Sequence, residues 1–220
     1  MKYIIADPHF DHENIRIHCN RPFKTLDEMN STMVTNWNNV VGKKDEIYIV
    51  GDFAWKNHMH WFHQLNGMKH LVIGNHDKMN QKTMRNFTST ALRMEVIHNG
   101  RPFVLDHFPL RTWNRRMYDA IHCFGHVHGR LNNDLLPNTL DVGVDSHNFT
   151  PITFDRVIEL IKPYDDPDGV KIWLVEMEVD GNLIKTTFRG RDEEEAWYRA
   201  MEVQPRAIQK SITRYLKDSY

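Results

Sequence analysis

The sequence predicts an α/β protein, and three observations carry that reading. Short apolar runs recur at 3–6, 47–50, 71–73, 102–105 and 121–124, each short enough and bounded by turn residues in the way of a buried strand. Segments with helical spacing of apolar residues lie between several of them. Each run also delivers polar side chains at its carboxyl end, where open α/β sheets hold their ligands.

The elements follow in order. Residues 3–6 form a first strand that runs into Asp7-Pro8-His9-Phe10-Asp11-His12. Thr25-Leu26-Asp27-Glu28 is a capping box, and Leu26, Met29, Met33, Trp37 and Val40 continue it at helical spacing until Gly42, so this is an amphipathic covering helix. Residues 47–50 are the second strand, 58–66 a short helix, 71–73 the third strand and 79–90 a weaker helix. Strands at 94–97 and 102–105 flank the turn Asn99-Gly100. Strands at 121–124 and 138–144 follow, and a short helix spans 152–161.

The remainder differs in character. Asp165 to Gly169 reads as a linker, dividing the chain into a core of 1–163 and an extension of 164–220. In the extension, 170–179 carries Trp173, Val175, Met177 and Val179 on one face, and Asp180-Gly181-Asn182 turns the chain into a second strand at 183–188. Asp192 to Glu195 caps a helix bearing Trp197 and Met201. Pro205 opens a last amphipathic helix with Ile208, Ile212, Tyr215 and Leu216. The extension is expected to pack on the core as added strands and helices; the sharper alternative is a lid or a homodimerisation element.

Composition narrows the function classes. With 28 basic and 29 acidic residues there is no bulk charge to hold nucleic acid or an anionic membrane, so neither is favoured as a partner. No apolar run approaches the roughly 20 residues of a membrane span, and no signal peptide is evident, which points to the cytoplasm. Cys19 and Cys123 fit neither a disulfide framework nor a thiolate metal site and are read as small hydrophobes. The 14 histidines, by contrast, are many for 220 residues.

The polar residues at the strand ends form a set. Asp7 and His9 are two apart, so both side chains can face one ion from an extended segment. Asp52 follows Gly51, Asn75 follows Gly74, His107 follows the strand at 102–105, and His126 with His128 repeats the spacing of two between glycines. Any one such ending is common by chance, but five in sequence are not. A set of nitrogen and oxygen donors without thiolate suits Mn²⁺, Fe or Zn²⁺. Seven ligands exceed one tetrahedral site and suit two ions about 3.5–4 Å apart.

Asp7-x-His9, Gly51-Asp52, Gly74-Asn75-His76-Asp77, His107 and Gly125-His126-x-His128 resemble, in order and spacing, the five signature blocks of the calcineurin-like metallophosphoesterases, over residues 1 to about 150. Within that family the sequence is similar to small stand-alone phosphoesterases of bacteria and phages. The resemblance implies a two-sheet β-sandwich flanked by helices. It implies one divalent ion on Asp7, His9, Asp52 and His128 and another on Asp52, Asn75, His107 and His126, with Mn²⁺ first and Fe, Zn²⁺ or Ni²⁺ as alternatives. His76 would be the general acid, oriented by Asp77, while His12, Arg21, Lys56 and Arg111 are candidates for contact with the phosphoryl group.

The expected reaction is hydrolysis of a small phosphodiester, such as a cyclic nucleotide, by in-line attack of a hydroxide bridging the two ions. The alternatives are a phosphomonoesterase or nuclease of the same fold, and a non-catalytic protein-binding member. Asp106 and Asp141 depart from the family pattern without removing a ligand.

Overall fold

The computed structural model describes residues 1–161, 171–190, 193–203 and 207–214. Two compact units divide at Met1–Pro163 and Tyr164–Tyr220. In the first, strand β1 (Lys2–Ile5) leads to helices α1 (Glu13–His18) and α2 (Leu26–Val40), then to β2 (Glu46–Val50), α3 (His58–Gln64), β3 (Met68–Val72), α4 (Gln81–Met84) and β4 (Ser89–Ala91). It continues through β5 (Arg93–His98), β6 (Arg101–Asp106), β7 (Ile121–Phe124), β8 (Thr139–Asp141), β9 (Ile152–Thr153) and α5 (Phe154–Leu160).

Two sheets result, ordered β4-β3-β2-β1-β9 and β5-β6-β7-β8. In the first, β1 to β4 are mutually parallel and β9 closes the edge antiparallel. Its central strands are apolar on both faces, as parallel strands covered on two sides must be. Tyr3, Ile5, Ile47, Ile49 and Leu71 face Met29, Met33 and Trp37 of α2, while Ile4, Tyr48, Val50 and Val72 face Phe103, Leu105, Ile121 and Cys123 of the second sheet. The two sheets thus share one apolar layer.

The Thr25 cap forms as the sequence predicts, with Thr25 Oγ1 accepting from the Glu28 amide, but Glu28 accepts from the Lys24 amide one residue before the cap rather than from Thr25 itself. Asn99 and Gly100, both at positive φ, make the tight turn between β5 and β6. Past the end of β1, Ala6 donates to Val142 O at 2.8 Å and accepts from the Val144 amide at 3.0 Å. That bridge joins the loops after β1 and β8, and the Val142 amide, donating to Phe124 O at 2.8 Å, adds the end of β7.

Several elements differ from the sequence reading. The helix expected over 79–90 is only α4, after which Thr88 turns into β4 beside β3. Asn86 donates its side-chain amide to the carbonyls of Lys82 and Thr83, closing the turn, and the β-branched residues behind it extend the sheet. The strand expected over 138–144 ends at Asp141 and gives way to a 3₁₀ turn, Val144–Ser146. Helix α1 was not foreseen, because one buried residue, Ile15, shows no period.

The second unit holds β10 (Lys171–Val179), β11 (Asn182–Gly190), α6 (Glu193–Val203) and β12 (Ile208–Arg214), with sheet order β11-β10-β12. Trp173, Val175 and Met177 pack on Ala196 and Ala200 of α6, and Asp180-Gly181 makes the two-residue turn. The last helix expected from Pro205 is instead β12, antiparallel to β10. Ile208 and Ile212 are four apart, which a strand satisfies as well as a helix, and the free edge of β10 decides between them. The linker expected at 165–169, together with Pro205, Tyr215 and Leu216, lies outside the described residues. Among the described residues, no helix is long and apolar enough to cross a membrane.

Candidate metal centre

The strand ends of the first unit converge on one cluster of acids and histidines. Asp7, His9 and His128 each offer a ligand atom within 4.8 Å of the others, and so do Asp7, Asp52 and His107. Asp52 Oδ2 lies 3.4 Å from both His9 Nε2 and His107 Nε2, between the two groups. Asn75 Oδ1 lies 2.9 Å from His107 Nε2 and 3.1 Å from His126 Nδ1. All seven ligand residues expected from the sequence therefore meet.

The local backbone is built for this convergence. Asp7, His9, Asp52, His126 and His128 all have φ between 50° and 69°. Left-handed backbone at such residues costs about 1–3 kcal/mol each and accumulates where function requires it. The loops are tied to one another, with the Asp7 amide donating to Gly51 O and the His9 amide to Asp52 O. A Cβ at Gly125 would stand 2.4 Å from Asp7 Oδ2, so only glycine lets that carboxylate in.

Hydrogen bonds behind the ligands fix their rings. His107 Nδ1 donates to Val50 O at 3.0 Å, and His128 Nδ1 donates to Asp145 Oδ2 at 2.8 Å, so each ring offers Nε2 to the cluster. Burial pushes Asp7 up to about 7 against the pull of His128 and His107. Burial holds His9 neutral, down at about 2. Burial opposes ionisation of Asp52, yet the hydrogen bond and charge of His107 keep its carboxyl at about 2. His107 rises to about 9 despite burial, through Asp52 and Asp7, and His128 to about 10 through Asp145 and Cys19.

The donor set fits a metal on an observation independent of motif. Asp7 Oδ1 and His9 Nε2 are buried and have no hydrogen-bond partner, yet they lie 3.9 Å apart and face the same space. Buried polar atoms are almost always paired, and a cation held by both would satisfy these two.

Three expected site residues take other positions. Asp77 does not orient His76. Its buried carboxylate accepts from the backbone amides of Asp52, Phe53 and Gly74, each at 2.8 Å, and so holds two ligand loops in place. The His76 ring lies beside those of His9, His12 and Trp55, at 5.6, 6.1 and 5.5 Å. Arg21 is no surface group for substrate either. Its side chain is fully buried, pairs with Asp145 through Nε and Nη2, and donates to the carbonyls of Pro8 and Asp7. Arg111 is exposed and lines a separate cleft of about 360 Å³ with Asp134, Leu131 and Leu135. The His12 ring lies 5.1 Å from the His9 ring.

Sequence reasoning missed the chain Arg21-Asp145-His128, because Arg21 lies 124 residues from Asp145 in the sequence. Replacing Arg21 with Ala removes the buried half of this ion pair and leaves the Asp145 carboxylate only His128 as a side-chain partner, and losing one partner of such a pair costs up to about 3–5 kcal/mol. The expected result is a lowered denaturant midpoint together with a metal affinity reduced about 10- to 100-fold, as for other groups behind ligands. Arg21→Lys recovers little of either, because one ammonium cannot replace the fork. Of the two unusual acids, Asp106 pairs with Arg93, and Asp141 accepts from the amides of Gly129 and Gly143. Both are satisfied within the protein.

The fold and site thus define a mixed α/β protein whose strand ends gather a group of residues able to hold a metal ion. No protein-family model matches the chain. It is 34% identical over 172 residues to uncharacterized protein MJ1445 of Methanocaldococcus jannaschii, covering 73% of this chain and 90% of that one, and it belongs to the same family. It is also 25% identical over 203 residues to the Gene 66 protein of Mycobacterium phage L5, covering 76% and 97%. Among solved structures, the protein of unknown function AQ665 from Aquifex aeolicus matches with a TM-score of 0.60 and 25% identity, covering 73% of this chain and 99% of that one.

Proposed function

We propose that the protein is a phosphodiesterase of the calcineurin-like metallophosphoesterase class, using two divalent ions, Mn²⁺ foremost. The observation that carries this reading is the Asp52 carboxylate, ionised and equidistant at 3.4 Å from His9 Nε2 and His107 Nε2, with the orphaned Asp7 Oδ1 beside it. Asp7, His9, Asp52 and His128 would hold one ion, and Asp52, Asn75, His107 and His126 the other. Such ions supply Lewis-acid stabilisation of phosphoryl oxygens and a water ionised near neutral pH.

The protein's own residues complete the chemistry. The His76 amide donates to Asp52 Oδ1 at 2.8 Å, so the residue that carries the acid is tied to the residue between the two ligand groups. The half-exposed His76 ring can then deliver a proton to the departing oxygen at the open side of the cluster.

Hydrolysis of diesters by metal-stripped protein reloaded with Mn²⁺ tests this reading. A positioned acid contributes typically about 10²–10⁴-fold, and the contribution matters most where the leaving group is a poor one. His76→Ala should therefore lose rate steeply with alkoxide leaving groups and much less with p-nitrophenolate. Equal loss on both classes would remove His76 from the acid role, and absence of turnover on every diester would remove the function.

A further inference from the structure

An exposed indole stands beside the candidate acid. Trp37, Trp61 and Trp113 are buried, and each donates its ring N–H to a partner: Asn66 O, Asp11 Oδ2 and Ala120 O. Trp55 instead is 43% exposed and belongs to no apolar cluster. Its ring lies parallel to His12, with centroids 4.3 Å apart and 7° between planes. The stack is built by the backbone, because the Trp55 amide donates to Phe10 O at 2.7 Å and Phe10 bridges Ala54. Those bonds bring the loop after β1 and the loop after β2 side by side at the cluster.

The placement is directional. Trp55 is 5.5 Å from His76, which is itself 5.6 Å from the ligand His9. Phe108, also exposed, is set against the ligands His107 and His126 with its ring tilted by 75° and 54° to theirs, and it has no parallel ring partner among the described residues. With His12 on one indole face, the exposed area of Trp55 lies on the other face and its rim. A prepared flat surface therefore exists on the acid's side of the site, where the leaving group departs.

Resting on the reading of the site as a phosphodiesterase, we infer that its substrates are nucleobase-bearing phosphodiesters and that Trp55, backed by His12, is the platform on which the leaving-group base stacks. Water adds to phosphorus and gives up a proton to solvent, the bond from phosphorus to the leaving oxygen breaks, and His76 supplies the proton that makes the departing group a neutral hydroxyl and is then reprotonated from solvent. Base stacking on an aromatic side chain tolerates any base, because every base has a π-face, so the platform selects a nucleotide without selecting its sequence.

The test compares adenylyl-(3′→5′)-adenosine, 2′,3′-cyclic AMP and glycerophosphocholine as substrates of the Mn²⁺-loaded protein, with Trp55→Ala and Trp55→Phe alongside. Trp55→Ala should lower the ratio of kcat/KM for a nucleotide over that for glycerophosphocholine by about 10- to 100-fold, chiefly through KM, and Trp55→Phe should keep most of it. A preference lost in the cyclic arm, the linear arm or both supports the platform and says which diester it serves. An unchanged ratio in Trp55→Ala overturns it. If the wild type hydrolyses none of the three, the phosphodiesterase reading fails separately, and calorimetric titration with AMP decides the platform: weaker binding by Trp55→Ala than by Trp55→Phe supports it, and equal binding overturns it.

Discussion

Asp52→Asn is expected to lower diester hydrolysis by about 10³-fold or more, beyond the 10–100-fold typical of groups that only support a ligand. Asp52 Oδ2 lies 3.4 Å from the inward nitrogens of both His9 and His107. An amide oxygen carries no formal charge, so both ions would lose the anion they share. The fold should survive, because the amide oxygen can still accept from the His76 backbone. Steady-state rates and metal content of the purified variant, with circular dichroism as the control for folding, check this outcome.

Gly51→Ala should damage stability and site together. Gly51 has φ +90, and a Cβ there would stand 2.2 Å from His107 Nδ1 and 3.0 Å from Gly74 Cα. The strained backbone and the overlap each cost about 1–3 kcal/mol. The overlap falls on the nitrogen that donates to Val50 O, so His107 would lose the bond that orients it. For a domain of this size, the sum corresponds to a Tm lower by roughly 10 °C. Thermal melting of metal-stripped protein measures the first loss, and metal affinity the second.

Much of this was legible in the chain, and the reason is local. A strand that ends in Gly and a hard ligand declares both its direction and its chemistry within a few residues, so Asp7, His9, Asp52, Asn75, His107, His126 and His128 could be read before any geometry. Roles that depend on distant partners could not. Nothing in Arg21 signals that its guanidinium will be buried against Asp145, and nothing in Gly-Asn-His-Asp says that Asp77 will turn from its neighbour toward the amides of Asp52 and Phe53. Trp55 likewise reads as any other aromatic until its exposure is known. In the second unit, β12 shows how a spacing of four residues serves both helix and strand, and only the open edge of β10 resolves it.

The central claim is that two divalent ions share Asp52, and calorimetric titration of metal-stripped protein with Mn²⁺ at pH 6.5 and 8.5 tests it most directly. Asp7 at about 7, His107 at about 9 and His128 at about 10 all sit above their ordinary values, so each holds a proton at the lower pH that a metal must displace. Binding should therefore take up two equivalents, release protons, and tighten as pH rises, while Asp52→Asn binds fewer ions more weakly. A single equivalent, no binding at either pH, or an affinity indifferent to pH would contradict it.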